Sequence, residues 1–388
     1  MSNQLLLTGN EAIALGSYEA NVKVGTGYPG TPSTEILENL KTYEGIYTEW
    51  SVNEKVALEI GIGSAITGAR TLVTMKHVGL NVAADPLFTA AYTGIKAGLV
   101  IVSADDPGMY SSQNEQDNRF YAFFAKIPCL EPSDSREARD FTKLAFVISE
   151  QFDTPVILRS TTRISHTKSV VPAGEISRKD QDLQFIPNPQ KYVMIPAHAK
   201  VRHAELEKRL IALRKYSNQS PVNCIEINDK KMAFITSGIC YQYIKEVFPD
   251  ASVLKIGMIH PLPDKMIKEF CSQFSKVYIM EELDPYLETL IRSLGISHVE
   301  GKSLFPATGE LTPDILKNTF GMGIKKEKPG PTILARPPAL CPGCTHRAAF
   351  LIFRKLKLKV SGDIGCYTLG VLPPYMAMDT TIDMGASV

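Results

Sequence analysis

Near the end of the chain, the stretch ALCPGCTHRAAF places Cys341 and Cys344 in a C-x-x-C pair, and GDIGCYTLG adds Cys366. Thiolates in such a pattern hold zinc or an iron–sulfur cluster, and three of them leave the fourth position of the centre open. Inert packing competes with both metal readings. No strand–helix context of a thioredoxin-like redox pair surrounds the cysteines. His346 stands too close to Cys344 in sequence to be an obvious fourth ligand.

A second set of residues could do acid–base work. NEKVALEIGIGSAITGAR carries Glu54 and Glu59 beside Gly61, Gly63, Ala65, Gly68 and Ala69. Small residues on a helix cost propensity but permit close backbone approach. A carboxylate at the start of such a helix suits a buried acid, and a solvated glutamate on a close-packed helix is the plain alternative. His77 in MKHVGLN follows a strand end, and Asp105 and Asp106 follow the next one. The two aspartates read either as paired carboxylates or as a turn before Pro107. Gln113, Asn114, Asp117 and Arg119 make a dense polar loop.

GTGYPG, Gly25 to Gly30, matches the letter of the dinucleotide fingerprint, with Glu49 near the position of an acidic ribose ligand. Pro29 and Pro32 remove backbone N–H groups that such a loop needs. A better reading has Thr31 as N-cap and Pro32 at the first helical position of STEILENL.

The elements that must position these residues alternate along the chain. NEAIALGSYEANV reads as helix, TLVTMKH and LVIVSADDP as strands, SREARDFTKLAFVISEQF as an amphipathic helix and TPVILRST as a strand. Strands followed by helices imply a parallel sheet covered on both faces, with sites in the loops beyond the strands' carboxyl ends. Residues 1–165 form this α/β domain. Residues 166–230 read as a proline-interrupted linker with one charged helix, AHAKVRHAELEKRLIALRKY, as a strut. Residues 231–325 form a second α/β unit, and 326–388 the start of a third, too short to bury an ordinary core.

Bulk properties exclude several classes. Lys plus Arg is 42 against 41 Asp plus Glu, so net charge is +1 and no nucleic-acid or membrane surface is indicated. No apolar run approaches the roughly 18 residues of a membrane span. Seven scattered cysteines are no secreted disulfide framework. The expectation is a soluble cytoplasmic protein.

Several stretches together resemble one family. GYPGTPSTEI, VNEKVALEIGIGSAITGARTLVTMKHVGLNVAADP, SADDPG, SSQNEQDNRFYAFFAKIPCLEP, CPGCTHR and DIGCYTLGVLPP are similar to the alpha subunits of indolepyruvate ferredoxin oxidoreductases. These belong to the thiamine-diphosphate-dependent 2-oxoacid:ferredoxin oxidoreductases. The resemblance implies a pyrimidine-binding α/β domain, a transketolase-C-terminal-like domain and the beginning of a diphosphate-binding domain. It implies oxidative decarboxylation of an aryl pyruvate to an aryl-acetyl-CoA, with electrons passed to ferredoxin and a beta subunit as partner. Thiamine diphosphate, Mg²⁺, a [4Fe-4S] cluster and coenzyme A are the implied cofactors and co-substrate. Other expectations are a sister enzyme with another substrate and a non-catalytic zinc-binding scaffold.

The resemblance also distributes roles. The glutamate that protonates the aminopyrimidine matches Glu59 rather than Glu54, by spacing to Ala65 and Gly68. Glu59 and His77 are expected in catalysis, and Glu59, Gly79, Gly365 and Cys366 at the cofactor. Thr31, Asp105 and Asp106 are expected at the substrate, and the arginine that relatives place on a later strand end is replaced by SADDPG. Cys341, Cys344 and Cys366 match three of four cluster ligands. The segment that holds Mg²⁺ and the diphosphate is expected beyond TIDMGASV, so the chain reads as a fragment that is inactive alone.

Overall fold

The computed structural model describes residues 4–174, 183–323 and 338–382. The chain divides into two compact units, Met1–Ile324 and Lys325–Val388. The first begins with β1 (Gln4–Thr8), α1 (Gly9–Glu19), β2 (Val24–Gly27), α2 (Thr34–Leu40), β3 (Tyr47–Trp50), α3 (Glu54–Thr67), β4 (Thr71–Lys76), α4 (His77–Val82) and α5 (Ala84–Thr93). Then come β5 (Leu99–Asp105), α6 (Arg119–Ala125), β6 (Cys129–Leu130), α7 (Ser135–Phe152), β7 (Val156–Thr161), α8 (Thr162–His166) and β8 (Lys168–Pro172).

The central strands are apolar along their whole length because both faces are covered. All residues of β4, β5 and β7 are buried, the pattern of a parallel sheet between two helical layers. Alternation decides which residue goes where. Leu72, Val100 and Leu158 pack with Ile13 of α1, Leu37 of α2 and Phe146 of α7. Their neighbours Val73, Ile101 and Ile157 pack with Leu58 of α3 and Leu87 of α5.

Helix α3 is fixed at both ends. Asn53 caps it by accepting from Val56 N at 2.9 Å, and Gly68 ends it in the left-handed region at φ 106°. Its small residues do bring it close to the sheet, since a Cβ on Gly61 would lie 2.5 Å from Val73 Cγ2. Gly63, by contrast, faces open space.

The remainder of the first unit has α9 (Pro189–Tyr192), α10 (Pro196–Ser217), β9 (Cys224–Glu226), β10 (Asp229–Thr236), α11 (Cys240–Val247), β11 (Ala251–Lys255) and β12 (Met258–His260). It ends with α12 (Asp264–Cys271), β13 (Val277–Met280), α13 (Tyr286–Ser293), β14 (Val299–Glu300) and α14 (Pro313–Thr319). A five-stranded sheet orders β14-β13-β10-β11-β9. The seven-stranded sheet orders β12-β6-β7-β5-β4-β2-β3, so β12 crosses to pair antiparallel with β6.

Two findings differ from the division read off the sequence at 165 and 230. Strand β8 returns to pair with β1, with Gln4 opposite Pro172. Helix α10 is no solvent-spanning strut: it buries Leu206, Arg209 and Leu213, and Arg202 donates to Tyr92 O at 2.8 Å. Local periodicity does not report such long-range pairing. The second unit contains α15 (Thr345–Lys355), a short 3₁₀ turn over Cys366–Val371, and a two-stranded pair of β15 (Ser361–Gly362) and β16 (Thr380–Thr381). Its small core is Leu340, Phe350, Tyr375 and Ala377. The expected start of this unit near Ile333 and the terminal segment after Ile382 lie outside the described residues.

Between the two sheets lies a buried ionic network. Arg159 donates from Nε to Asp105 Oδ2 at 2.7 Å and from Nη1 to Glu131. Arg119 donates to Asp117 Oδ1 at 2.8 Å, to Glu281 Oε2 at 2.7 Å and to Glu282 O at 2.9 Å. The Glu282 carboxyl itself has no ion-pair partner among the described residues, and burial pushes it up to about 7. Its folded-state value is raised, so its contribution to stability is complete below the ordinary carboxylate range. That contribution is lost as pH rises through about 7. Denaturant titrations between pH 5 and pH 8 should therefore show wild type losing on the order of 3 kcal/mol more than Glu282→Gln. Parallel pH profiles for the two proteins would contradict this.

Candidate active site at the strand ends

The carboxyl ends of β2, β3, β4, β5 and β7 open on one side of the sheet, and the loops after them carry most of the residues singled out from the sequence. Glu54 is the first residue of α3, just past β3, and it is 2 % exposed. It faces α4, where a Cβ on Gly79 would fall 2.6 Å from Glu54 Oε1. Glycine at 79 is what gives this carboxyl room.

Burial raises the pKa of Glu54, while its own backbone N–H and the charge of Lys76 pull the other way. The net result is a carboxyl that keeps its proton to higher pH than a solvated glutamate does. No other residue donates a hydrogen bond to it among the described residues. Glu59, one and a half turns on, is exposed. The structure thus puts Glu59, the expected acid, at the surface and Glu54 in the crevice. Spacing to the small residues misled, because Gly61 answers to Val73 rather than to the site. The N-cap Asn53 was the usable signal, since it puts residue 54 at the crevice end of the helix.

His77 begins α4 and is fully buried. Its Nε2 meets Asn114 O at 2.9 Å, and burial lowers its pKa, so the ring is neutral. Asn118 bonds His77 O at 3.0 Å and Ser103 Oγ at 2.6 Å. These contacts hold the loop after β5 across the strand ends, which is a positioning task rather than the catalytic one expected.

Asp105 and Asp106 are not a carboxylate pair. Asp105 is wholly buried against Arg159 and accepts from Asn118 N at 3.2 Å. Asp106 turns the other way and accepts from Thr162 Oγ1 at 2.6 Å, Ser111 N at 2.8 Å and Ser112 Oγ at 2.7 Å. Burial alone would raise Asp106, but these hydrogen bonds and Lys76 hold it below the usual carboxylate range. Both side chains brace the loop, so the substrate role expected of them is corrected.

Thr31 is exposed and is not a helix cap. The chain first turns through Gly30–Ser33, with Ser33 N bonded to Gly30 O at 2.9 Å, and α2 starts at Thr34 behind Ser33. Thr31 O accepts from Ser111 Oγ at 3.2 Å. Lys76, which no sequence argument singled out, ends β4 and donates from Nζ to Ser111 O at 2.9 Å. A lysine closing an apolar strand passes for a solvated end, yet this one is 5 % exposed.

In the second unit, Cys341 and Cys366 are exposed and Cys344 is half-buried, with its Sγ 3.3 Å from His346 Nδ1. Gly365 precedes Cys366 at φ 141°, with open space where a side chain would be. Among the described residues, no three His, Cys, Asp or Glu side chains gather as a metal-holding group. The three cysteines are thus not assembled into a cluster or zinc site by the described residues. The aminopyrimidine end of thiamine diphosphate, by contrast, fits the first unit: a buried carboxyl with a raised pKa stands at the strand ends beside a glycine. No described helix is long and apolar enough to cross a membrane.

Comparison with known proteins agrees with this fit. Residues 15–217 match the family described as pyruvate flavodoxin/ferredoxin oxidoreductase, thiamine diphosphate-binding. The indolepyruvate oxidoreductase subunit IorA of Archaeoglobus fulgidus is 42 % identical over 99 % of this chain and 67 % of its own length. Its counterpart in Thermococcus kodakarensis is 40 % identical over 99 % of this chain and 65 % of its own. This chain thus spans about two thirds of these relatives. A 2-oxoglutarate:ferredoxin oxidoreductase from Magnetococcus marinus shares the fold with TM-score 0.67 at 16 % identity, over 83 % of this chain and 65 % of that one. A split-gene transketolase aligns with TM-score 0.54 at 13 % identity, over 81 % of this chain and 96 % of that one. The chain belongs to the family of the IorA subunits of indolepyruvate oxidoreductase, among the thiamine-diphosphate-binding pyruvate flavodoxin/ferredoxin oxidoreductases.

Proposed function

We propose that this chain supplies the pyrimidine-side catalytic machinery of an oxidoreductase for aryl 2-oxo acids, with indolepyruvate as the substrate. The 2-oxo acid and coenzyme A give the aryl-acetyl thioester and carbon dioxide, and two electrons pass to ferredoxin, in a complex with a beta subunit. The observation that carries the reading is Glu54, a buried carboxyl whose pKa burial raises, at the strand ends of a thiamine-diphosphate-binding fold.

Thiamine diphosphate, when bound, would supply the electron-poor thiazolium ring that delocalises the electron pair left on the substrate's 2-carbon by decarboxylation. The protein's own contributions are local. Glu54 holds and shares a proton at N1′ of the aminopyrimidine. Gly79 leaves the space in which that carboxyl sits. Neutral His77 and Asn118 lock the loop after β5 over the crevice, and with Asp106 they limit the water that reaches it. The described residues assemble no group of three His, Cys, Asp or Glu side chains that would hold Mg²⁺ or an iron–sulfur cluster.

The test is ferredoxin reduction by the full-length chain with its partner subunit. Turnover should require coenzyme A and thiamine diphosphate. Indolepyruvate should exceed 2-oxoglutarate in kcat/KM by at least about tenfold, the scale on which an apolar pocket separates side chains. Equal or better use of 2-oxoglutarate would contradict the aryl assignment.

A further inference from the structure

Among the described residues, Lys76 is a buried cation with no direct ion pair. Its side chain ends β4 inside the crevice. An ammonium can give three hydrogen bonds, and here the described protein takes one of them, at Ser111 O. The two nearest carboxylates act on it only at longer range. Asp106 is already committed to Thr162, Ser111 and Ser112. Glu54 faces Gly79 on α4. Burying a charge in this way is costly unless a partner arrives, and such unpaired groups mark ligand sites.

Strand-end loops close on this side chain. A Cβ on Gly30 would lie 2.9 Å from Lys76 Cδ, so the loop after β2 passes directly over the lysine stem. The same loop meets Ser111 through Thr31 O. The loops after β2 and β5 therefore converge on the ammonium, and among the described residues neither brings a carboxylate into a direct ion pair with it.

We propose that Lys76 binds the carboxylate of the 2-oxo acid substrate, making the end of β4 the carboxylate subsite. The assignment rests on the functional reading above. It also sets the kind of kinetic effect. The bond from the carboxylate carbon to the 2-carbon breaks, its electron pair stays behind, and the carboxylate leaves as neutral carbon dioxide. The attraction to Lys76 is therefore stronger in the bound substrate than in the decarboxylation transition state, and its loss belongs in KM more than in kcat.

The experiment uses the full-length chain with its partner subunit, as Lys76→Met and Lys76→Arg. In Lys76→Met, KM for indolepyruvate should rise roughly 10- to 150-fold, the range for a hydrogen bond to a charged group. KM for coenzyme A and thiazolium C2 proton exchange of bound thiamine diphosphate should stay unchanged. Lys76→Arg should recover most of the affinity. A readout independent of turnover is calorimetric binding of the unreactive 3-indolepropionate and its amide. The carboxylate should lose affinity in Lys76→Met by the same factor, and the amide should bind both proteins alike.

Three results would overturn the assignment. One is a KM for indolepyruvate within about twofold of wild type, below the smallest charged hydrogen bond. Another is C2 exchange slowed along with turnover, which would make Lys76 a servant of Glu54. The third is equal loss for acid and amide, which would mean a structural role. Failure of the wild-type enzyme to use any aryl 2-oxo acid would instead overturn the underlying functional reading.

Discussion

Glu54→Gln in the full-length enzyme is expected to lower kcat for indolepyruvate oxidation by ~10²–10⁴-fold, the usual worth of a positioned acid–base group. That corresponds to roughly 3–5 kcal/mol at the barrier. The amide keeps the size of the carboxyl but cannot hold and return a proton at N1′ of the aminopyrimidine. The same variant should be no less stable than wild type. Burial raises the pKa of Glu54, so its stabilising form is the protonated one. That contribution is complete below the ordinary carboxylate range and is lost as pH rises through the raised value. At pH values above that raised value the wild type carries a buried carboxylate that glutamine does not, so there the variant's Tm should equal or exceed that of wild type. A large drop in both kcat and Tm would mean that Glu54 is a structural residue.

Arg119→Met should cost about 3–5 kcal/mol of unfolding free energy, the largest stability effect expected in this chain. The guanidinium is 1 % exposed and ties the loop after β5 to the loop after β13 through Asp117, Glu281 and the carbonyls of Glu282 and Asp284. Methionine fills much of the volume but leaves Asp117 and Glu281 buried without compensation. Glu281 keeps two backbone donors, Leu287 N and Glu288 N, at 2.8 and 3.0 Å, which temper its exposure to this loss. Arg119→Lys should recover only part of the stability, because a point charge cannot replace the planar fork that reaches several acceptors at once. Guanidinium denaturation of all three proteins at pH 7 measures this. A loss below about 1 kcal/mol for Arg119→Met would place it in the range of surface pairs and contradict the buried network.

Much of the fold was legible because burial and local pattern agree. TLVTMK, LVIVSAD and VILRST are continuous apolar strands for the reason that both sheet faces are covered, and SREARDFTKLAFVISEQF is amphipathic because α7 lies on one face. What escaped was non-local. Strand β12 has three residues and joins the far sheet, and β1 finds β8 across more than 150 positions. The site was half legible. The loops were found, but roles within them depend on which way side chains turn. Asp105 and Asp106 are adjacent and point to different partners, and only the fold shows that one meets Arg159 and the other Thr162. Glu54 and Glu59 share a helix and differ by its rotation. Lys76 gave no signal because the sequence cannot show that the loops after β2 and β5 close over it.

The central claim is that Glu54 is the residue that meets the cofactor's aminopyrimidine, and thiazolium C2 proton exchange of bound thiamine diphosphate tests it most directly. The exchange precedes substrate, so it is independent of which 2-oxo acid is used and of electron transfer. It should be measured by quenched-flow deuterium incorporation in the full-length complex for wild type, Glu54→Gln and Glu59→Gln. The expected result is exchange slowed by ~10²–10⁴-fold in Glu54→Gln and unchanged in Glu59→Gln, whose side chain is exposed. Wild-type exchange in Glu54→Gln, or slow exchange confined to Glu59→Gln, would contradict the account.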